Sequence, residues 1–380
     1  MNLCTFTFAD LGITVQTSRF ATENGVKEWH LMFHLDASSD DFPKQYLRLS
    51  TARSRVLDMP EFKGACGITT RYFLSDIANQ QHLIPDLHTE STGIIQQPPL
   101  NGSKVAAWMY LQSPEGDISN HGATVLVVRN GYAHLWTSSM TSPHGDSAAQ
   151  TTSILCSYEE MLADNQMSLA DNCVRTWFYV RDVDTNYSGL VSARRENFEK
   201  QGLTAHTHYI SSTGIGGSPY QNSAIVQMDA YAVKGLEDGQ VRYLKALSHL
   251  NPTYEYGVTF ERGTMISYGD RRHVFISGTA SIDNRGKVLH TGDIVAQTKR
   301  MWENVEALLK EAESDFKDVM QIIVYLRDTA DYNVVNEMFS QRFPDVPVVI
   351  TLAPVCRPAW LIEMECVAVV ENSDPKFRNF

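Results

Sequence analysis

The sequence predicts an α+β protein built from three tandem copies of one small unit. The chain has 380 residues, about two to three times the length of an average domain. Near its C-terminus the apolar pattern predicts strand, helix, strand, helix and strand in that order, and the same order recurs upstream. Because repeats of this length are too few and too large for a solenoid, we interpret each copy as a small domain. The expected domains are 1–115, 120–240 and 253–372.

The C-terminal copy shows the pattern most clearly. Its apolar and β-branched runs predict strands over 273–282, 321–328 and 360–370. Apolar residues at every third or fourth position predict amphipathic helices over 294–309 and 331–343. These helices are expected to cover one face of the sheet that the strands form.

The middle copy repeats this order, and a fainter copy occupies the N-terminal part of the chain. In the middle copy the predicted strands are 132–140, 174–182 and 224–233, and the predicted helices are 150–162 and 187–198. In the N-terminal copy, 66–83 resembles the junction of a strand with a helix, and 104–111 resembles a last strand. We interpret the first half of this copy as degraded.

The predicted sheets need a partner for their second face. Two helices can cover only one face of each sheet, so the other face must be buried elsewhere. Three tandem copies can bury these faces by packing sheet against sheet around a pseudo-threefold axis, as the subunits of a trimer would. We therefore expect a monomer-sized pseudo-trimer, with linkers near 112–122 and 235–252, where the apolar pattern is interrupted.

Composition and charge restrict the classes of function. With 43% apolar and 20% charged residues, the chain has the composition of an ordinary folded protein. Its formal net charge of −12 opposes general binding to nucleic acid or to an anionic membrane surface. The N-terminus lacks the features of a signal peptide, and no apolar run is long enough to span a membrane. We therefore expect a cytoplasmic protein.

The cysteine and histidine patterns do not favour a metal site. The six cysteines are scattered without a CxxC pair, which is typical of reduced, mostly buried thiols. His206 and His208 share one face of an extended segment and are the nearest approach to a ligand cluster. We interpret these two histidines as polar lining or as hydrogen-bonded core, and we expect no metal.

Several segments carry a resemblance to known families. SGTASIDNRGKVLHTGD, the helix of Gln297 and CRPAWLIEMECVAV, within 255–370, resemble the Rid/YjgF (chorismate-mutase-like) fold, a homotrimer with small-molecule pockets between subunits. QQPPLNGSKVAAW, RTWFYV, HYISSTGIGG and YGDRRHVFISGTASID, in this order, resemble the chorismatases, including the 3-hydroxybenzoate synthases. The resemblance implies an enzyme that releases pyruvate from chorismate without a cofactor. It also implies a small-molecule partner rather than nucleic acid or membrane.

The repeats point to one acidic residue. Glu363 occupies the position that Gln227 holds in the middle copy, so an inward-facing site carries an acid in one copy and a neutral amide in another. If Glu363 faces a partly dry cleft, desolvation would raise its pKa and let it donate a proton near neutrality. The resemblance implies this role of general acid. The alternative is that Glu363 or Glu365 simply solvates an edge strand.

A dianionic substrate needs fixed cations, and guanidinium groups bind carboxylates in a bidentate manner. Arg357 precedes Glu363 by a few residues, and the resemblance implies that it holds a substrate carboxylate. Arg175 is a second candidate because it interrupts an apolar strand where the C-terminal copy has Gln321; a buried ion pair between sheets is the alternative. Two Arg–Asp pairs recur at the same place in both copies and are interpreted as structural ion pairs: Arg181–Asp182 and Arg327–Asp328.

The segment 212–217, STGIGG, is weakly similar to an anion-cradling loop, since its glycines allow backbone amides to point at an anion. The resemblance places this loop in the pocket, so Ser212, Thr213 and Gly214 are expected to bind substrate. Tyr209 could donate a hydrogen bond from the same loop, and a packing role is equally open.

Two small residues are candidates for control of the product. The resemblance implies that chorismatases that make 3-hydroxybenzoate have a glycine and a cysteine in the pocket. Gly269 and Cys356 stand at the matching places. For Cys356, an inert packed thiol is the alternative. Two other functions stay open: a Rid-type imine deaminase that uses Arg357, and a metabolite-binding scaffold with an inactive pocket. Ribonuclease activity is disfavoured by the charge.

Overall fold

Three mixed β-sheets form the body of the protein. The computed structural model describes residues 1–23, 25–85 and 89–380. The N-terminal unit contains β1 (Asn2–Phe8), β2 (Ile13–Phe20), β3 (Glu28–Leu35), α1 (Phe42–Leu57), β4 (Cys66–Leu74), α2 (Ile77–Gln80), β5 (Ser91–Gln96) and β6 (Val105–Gln112). No helix within these described residues is both long and apolar enough to cross a membrane.

The other two units follow along the chain. The middle unit contains β7 (Asp117–His121), β8 (Thr124–Arg129), β9 (Tyr132–Thr141), α3 (Ser147–Asp164), α4 (Leu169–Asn172), β10 (Cys173–Val180), α5 (Val183–Lys200), β11 (Ser211–Gly216), β12 (Ser218–Pro219) and β13 (Val226–Lys234). The C-terminal unit contains β14 (Val241–Leu244), β15 (Gly263–Ser267), β16 (Arg271–Ala280), α6 (Ile294–Glu311), β17 (Val319–Leu326), α7 (Tyr332–Arg342), β18 (Val348–Leu352) and β19 (Ile362–Glu371).

The three sheets share one strand order. They run β1-β2-β3-β6-β4-β5, then β7-β8-β9-β13-β10-β11, then β14-β15-β16-β19-β17-β18, and the two-residue strand β12 extends the first sheet beyond β5. In each sheet the last of these pairs is parallel and the others are antiparallel. The predicted α+β class with three tandem units is therefore confirmed.

Contacts between the units close a ring. Strand β5 contacts β9 of the middle unit, β11 contacts β16 of the C-terminal unit, and β17 contacts β2 and β3 of the N-terminal unit. One apolar core runs through all three units, with Trp108, Trp177 and Phe275 among its members. Each unit thus buries against its neighbours the sheet face that its helices leave uncovered.

The sequence pattern explains α3 and α6, two of the helices that it predicted to cover the sheets. Asp146 and Asp293 begin α3 and α6, since each carboxylate accepts a hydrogen bond from a first-turn backbone N–H. Met301, Val305 and Leu308 of α6 are fully buried, as the spacing of the apolar residues predicts. The sequence and the structure therefore agree on the helices that cover the middle and C-terminal sheets.

The N-terminal unit differs from its prediction. Its first half is not degraded, because β1, β2, β3 and α1 are all present; the reduced element is α2, a single turn where the other units have long helices. Strands β1, β2 and β3 do carry alternating apolar residues, for example Cys4, Phe6 and Phe8 of β1. The prediction of a degraded first half overlooked this alternation.

The predicted linkers also need correction. Segment 112–122 contains β7, and 235–252 contains β14. Both are short edge strands: β7 has mostly polar side chains, and β14 has only four residues, too few to show a clear period. The expected boundaries at 120 and 253 therefore cut one edge strand from the middle sheet and one from the C-terminal sheet.

Candidate active site

A cleft between the middle and C-terminal units contains Glu363. We call it the acid cleft and define it by its main polar lining: Arg194, Ser212, Arg262, Cys356, Arg357 and Glu363. About 510 Å³ of empty space lies between its lining atoms, the open mouth included. Strand β11 and helix α5 form the middle unit's side, and strands β16 and β19 form the opposite side.

Strand pairing fixes the place of Glu363. On β19 it lies opposite Ala280 of β16 and Tyr325 of β17, and only 5% of its surface is exposed. A Cβ at Gly278 would collide with the Glu363 carboxyl, so this carboxyl rests against bare backbone. In the middle sheet Gln227 lies opposite Tyr179 in the same register, which confirms the alignment of Glu363 with Gln227.

The surroundings of Glu363 favour its neutral form. Burial raises the pKa of its carboxyl to about 8, and the negative charge of Glu365 acts in the same direction. Arg262 and Arg175 oppose this rise. No hydrogen bond among the described residues uses the Glu363 carboxyl. Glu363 is therefore protonated at neutral pH and free to donate.

Arg194 is the most deeply buried cation of the cleft. It lies on α5 with 1% of its surface exposed, and its Nη1 donates to Ser212 Oγ at 3.4 Å. Its Nε and Nη2 have no partner in the part of the chain that the structure describes. Burial lowers the pKa of this guanidinium, a cost that an anionic ligand would offset. Arg194 is therefore suited to bind a carboxylate.

Two more arginines complete the lining. Arg357, which the sequence predicted, lies between the rings of Tyr256 and Trp360, at 4.6 and 5.0 Å from their centroids. Arg262 donates from Nη2 to the Asn251 carbonyl at 3.1 Å. Aromatic stacking and hydrogen bonding hold these two cations in place before a ligand arrives.

Sequence reasoning missed Arg194 and Arg262. A signal existed for Arg194, since it stands on the same helical face as Leu190 and Phe198, both buried. A charge on the apolar face of an amphipathic helix indicates a buried partner or a ligand. Arg262 precedes β15 in an irregular segment, where no periodicity could indicate its direction.

Cys356, Tyr187 and Gly214 form one wall of the cleft. The Cys356 thiol and the Tyr187 ring both line this wall, and burial raises the pKa of the thiol to about 12. The thiol therefore stays protonated and is a poor nucleophile. A Cβ at Gly214 would lie 2.8 Å from the Tyr187 ring, so glycine is needed for this ring position.

Arg175 and Thr213 lie outside the cleft lining, which corrects their assignment to substrate. Arg175 Nη2 donates to Glu365 Oε2 at 2.8 Å and also to the Thr213 hydroxyl. Thr213 Oγ1 accepts from the backbone N–H of Gly278 at 2.9 Å. The open alternative for Arg175, a buried ion pair between sheets, is the arrangement found. Ser212, by contrast, lines the cleft.

Tyr209 and Gly269 are also absent from the cleft lining. Tyr209 packs in the core of the middle unit, stacked on Phe198 at 6.4 Å between centroids. Gly269 follows β15 and contacts the C-terminal tail: its N–H donates to the Arg378 carbonyl at 2.8 Å, and a Cβ there would lie 2.5 Å from the Phe377 oxygen. Gly269 therefore lies against the C-terminal tail and outside the acid cleft, where its expected role in product control would place it.

The segment 212–217 is not an anion-cradling loop. Most of it belongs to β11, whose backbone is engaged in parallel pairing with β10. Gly214 contributes to the cleft through its lack of a side chain, and no anion-cradling turn forms there.

The two expected Arg–Asp ion pairs have other partners. Arg327 donates to both carboxylate oxygens of Asp184 at 2.9 and 2.7 Å, a link between two units, while Asp328 accepts from a helical N–H. Arg181 donates to the Asn222 carbonyl at 2.7 Å.

The histidine pair shows no sign of metal binding. His208 stacks on Tyr243 at 4.3 Å between centroids, and His206 is exposed. Across residues 1–23, 25–85 and 89–380, no group of His, Cys, Asp and Glu side chains could hold a metal ion.

Comparison with known proteins agrees with the architecture. The family model described as Endoribonuclease L-PSP matches residues 266–370. A solved chorismatase structure covers 82% of this chain and 96% of that chain, with a TM-score of 0.65 at 16% identity. That likeness establishes the fold of the chain beyond its C-terminal unit.

Two curated relatives match the C-terminal unit. A RutC family protein of Pyrococcus abyssi is 37% identical over 100 residues, which are 26% of this chain and 79% of that protein. The 3-aminoacrylate deaminase RutC of Acinetobacter baylyi is 34% identical over 99 residues, again 26% of this chain and 79% of the relative. The chain therefore belongs to the RutC, or endoribonuclease L-PSP, family, and most of its length has the fold of a solved chorismatase.

Proposed function

We propose that the protein is a chorismatase, an enzyme that releases pyruvate from chorismate, and that it needs no cofactor. The observation that carries the proposal is the buried Glu363 carboxyl, which a pKa of about 8 keeps protonated at neutral pH in a cleft with three arginines. The fold shared with a solved chorismatase supports it. Because three units in one chain supply the interfaces of a trimer, the proposed enzyme acts as a monomer. We propose that it works in the cytoplasm.

Glu363 is the general acid of the proposed reaction. It donates its proton to the methylene carbon of the enolpyruvyl ether of chorismate, and the ether becomes an oxocarbenium ion. The bond between the ring carbon and the ether oxygen then breaks, and pyruvate leaves. A general acid works best when its pKa lies near the working pH, which the pKa of Glu363 satisfies. No electrons change hands, so the step balances without a redox partner.

The three arginines account for the charge of the substrate. Chorismate carries two carboxylates, and an acidic protein can bind it only in a locally basic pocket. Arg194 approaches from the middle unit, and Arg262 and Arg357 from the C-terminal unit, so the two carboxylates can be held from opposite walls. Bidentate binding by guanidinium groups would orient the enolpyruvyl group towards Glu363.

We further propose that 3-hydroxybenzoate is the main aromatic product. After protonation either water or the substrate's own 4-hydroxyl can displace pyruvate; water gives a dihydroxycyclohexadiene acid, and the 4-hydroxyl leads to 3-hydroxybenzoate. Apolar Ala280, Ile282 and Trp360 line the cleft with the neutral Cys356 thiol, which disfavours an attacking water. Pyruvate and 3-hydroxybenzoate together contain all the atoms of chorismate.

A second candidate function is deamination of a small enamine or imine. The sequence identity to a 3-aminoacrylate deaminase over the C-terminal unit favours this alternative. It would use Arg357 to hold the substrate carboxylate. It gives no role to Arg194 of the middle unit or to the raised pKa of Glu363, which is why we rank it second.

One experiment separates these functions. The purified protein is incubated with chorismate, pyruvate is followed with lactate dehydrogenase and NADH, and aromatic products are identified by chromatography against 3-hydroxybenzoate, 4-hydroxybenzoate and the diene acid. We expect equal amounts of pyruvate and 3-hydroxybenzoate. Absence of pyruvate at enzyme concentrations near that of the substrate contradicts the proposal. Ammonia release from 3-aminoacrylate, without pyruvate from chorismate, would establish the deaminase instead.

A further inference from the structure

A second open cleft lies between the C-terminal and N-terminal units. We call it the neutral cleft and define it by Thr14, Gln16, His34, Asn101, Phe339 and Ser340. It has the same construction as the acid cleft: β18 takes the place of β11, α7 that of α5, and β3 that of β16. The neutral cleft therefore lies at the next interface of the ring, at the position equivalent to that of the acid cleft.

The side chains at the positions equivalent to Glu363 and Arg194 are uncharged at this interface. Ala106 lies opposite Phe73 of β4 in the register that places Glu363 opposite Tyr325. Ser340 stands as far beyond the end of β17 as Arg194 stands beyond the end of β10. None of the described residues that line the neutral cleft is Asp, Glu, Lys or Arg. This cleft cannot perform the chemistry proposed for Glu363, and it offers no cation to a carboxylate.

The space at this interface has not been filled. About 820 Å³ lies between the lining atoms of the neutral cleft, against about 510 Å³ for the acid cleft, both with their mouths included. At the third interface the matching position is Gln227, whose amide contacts Ile94 and Ser139. At that interface the matching side chain is thus hydrogen-bonded across the units, whereas the neutral cleft is open and is lined by Tyr332, Phe339 and hydrogen-bonding side chains.

Gln16 and His34 give the neutral cleft a fixed hydrogen-bonding pattern. Gln16 Oε1 accepts from the backbone N–H of Val348 at 3.1 Å, which fixes the orientation of the amide. His34 Nε2 lies 3.0 Å from the same oxygen and must therefore be the donor. Burial lowers the pKa of His34 to about 4, so the ring is neutral. Gln16 Nε2 remains as a donor, and His34 Nδ1 remains as an acceptor.

We propose that the neutral cleft is a binding site for a small uncharged ring compound that carries a primary amide or lactam. The ligand's amide oxygen accepts from Gln16 Nε2, because the contacts of Gln16 Oε1 with Val348 and His34 fix the orientation of this side chain. The ring packs against Tyr332 and Phe339. An anionic ring is rejected because no cation offsets its desolvation.

A matched pair of probes tests the chemical class. We would titrate the full-length protein with 4-fluorobenzamide and with 4-fluorobenzoate and follow both by fluorine NMR. The two probes have the same ring and differ in charge. For a ligand of this size we expect the amide to bind with a Kd on the order of 1 mM. The benzoate should bind in the acid cleft, where the arginines lie.

Two variants assign each signal to a cleft. Ser340→Trp fills the neutral cleft from an exposed helical position and should weaken the amide at least tenfold while leaving the benzoate unchanged. Arg194→Met should do the opposite. If Ser340→Trp is unstable by thermal melting, Asn336→Trp, also exposed on α7, replaces it. Amide binding that survives both tryptophans, no amide binding up to 10 mM, or benzoate binding that depends on Ser340 would each overturn the proposal.

Discussion

Glu363 and Gln227 occupy the same place in two of the three units and have opposite surroundings. Gln227 is fully buried; its Nε2 donates to the Ile94 carbonyl at 3.1 Å and lies 3.4 Å from Ser139 Oγ, and its Oε1 accepts from the Tyr220 N–H at 3.0 Å. The Glu363 carboxyl faces a cleft and takes part in no hydrogen bond that the described residues show. The same backbone thus holds a hydrogen-bonded amide at one interface and, at another, an acid that faces a cleft.

The difference between these two positions indicates which interface of the ring carries the proposed function. Buried polar groups in proteins are normally paired, so an unpaired one indicates a role that its pairing would prevent. At the Gln227 interface hydrogen bonds hold the units together and leave no proton to donate. At the Glu363 interface the adjoining pairing falls to Arg175, Thr213 and Glu365, so Glu363 itself stays free.

The largest expected effect follows from making the two positions identical. Glu363→Gln removes the proton donor and retains the shape, so pyruvate release from chorismate should fall by about 1000-fold in kcat. The matched control is Glu371→Gln, an exposed acid at the end of the same strand, which should retain full activity. Activity of Glu363→Gln within tenfold of the unaltered protein, in the coupled pyruvate assay, would remove Glu363 from the mechanism.

A smaller effect is expected from the cation of the neighbouring unit. Arg194→Met keeps the length of the side chain and removes hydrogen bonds to a charged ligand, each worth about 1.5–3 kcal/mol, so kcat/KM should fall by about 100-fold, mainly through KM. Arg195→Met, the exposed next residue on α5, is the control and should change kcat/KM less than twofold. Equal losses in both variants would show a general effect on the helix instead of substrate binding.

The fold was largely predictable because its elements repeat. The strands and helices of the C-terminal and middle units carry clear apolar periods, and two clear copies indicated the third. The first three strands of the N-terminal unit were missed although their apolar residues alternate, and β7 and β14 were missed as short edge strands. Periodicity needs several residues to be recognised, so a strand of four or five residues gives little signal.

The site was predictable where a residue's place in the repeat fixes its direction. Glu363 was found by comparison with Gln227, since strand register determines which way a side chain points. Arg175 was misassigned because strand register does not show what pairs with a buried charge. A ligand was expected, and the partner found is Glu365. Gly269 failed for a different reason: its contact, the C-terminal tail, is distant in sequence and belongs to no repeat.

The reverse substitution should weaken the interface at which Gln227 is hydrogen-bonded. Gln227→Glu replaces the amide donor to Ile94 with a carboxylate oxygen, so two acceptors face each other in a buried site. We expect the free energy of unfolding to fall by about 2 kcal/mol at pH 8, measured by urea titration, with a smaller loss at pH 5, where the acid can be protonated. A variant as stable as the unaltered protein at pH 8 would show that the interface tolerates a charge.

The last expected effect is a pH-dependent gain in stability when Glu363 is removed. Its pKa is about 8 in the folded protein and about 4.5 when unfolded, so between these values the folded state holds a proton that the unfolded state has released. Stability should therefore fall as pH rises through this window, and the loss should be complete above about pH 8. The Glu363→Gln variant has no titrating group at this position, so its stability should not fall in this way as the pH rises.

The melting temperature of Glu363→Gln should accordingly exceed that of the unaltered protein by about 2 °C or more at pH 8.5, and the two should nearly coincide at pH 5. Differential scanning calorimetry at both values measures the contrast, with Glu371→Gln as the exposed control that changes neither. A variant that melts lower than the unaltered protein at pH 8.5 would mean that the Glu363 carboxylate is stabilised by its arginines. The acid cleft would then hold an ion pair, as Arg175 and Glu365 do, and would have no proton to give.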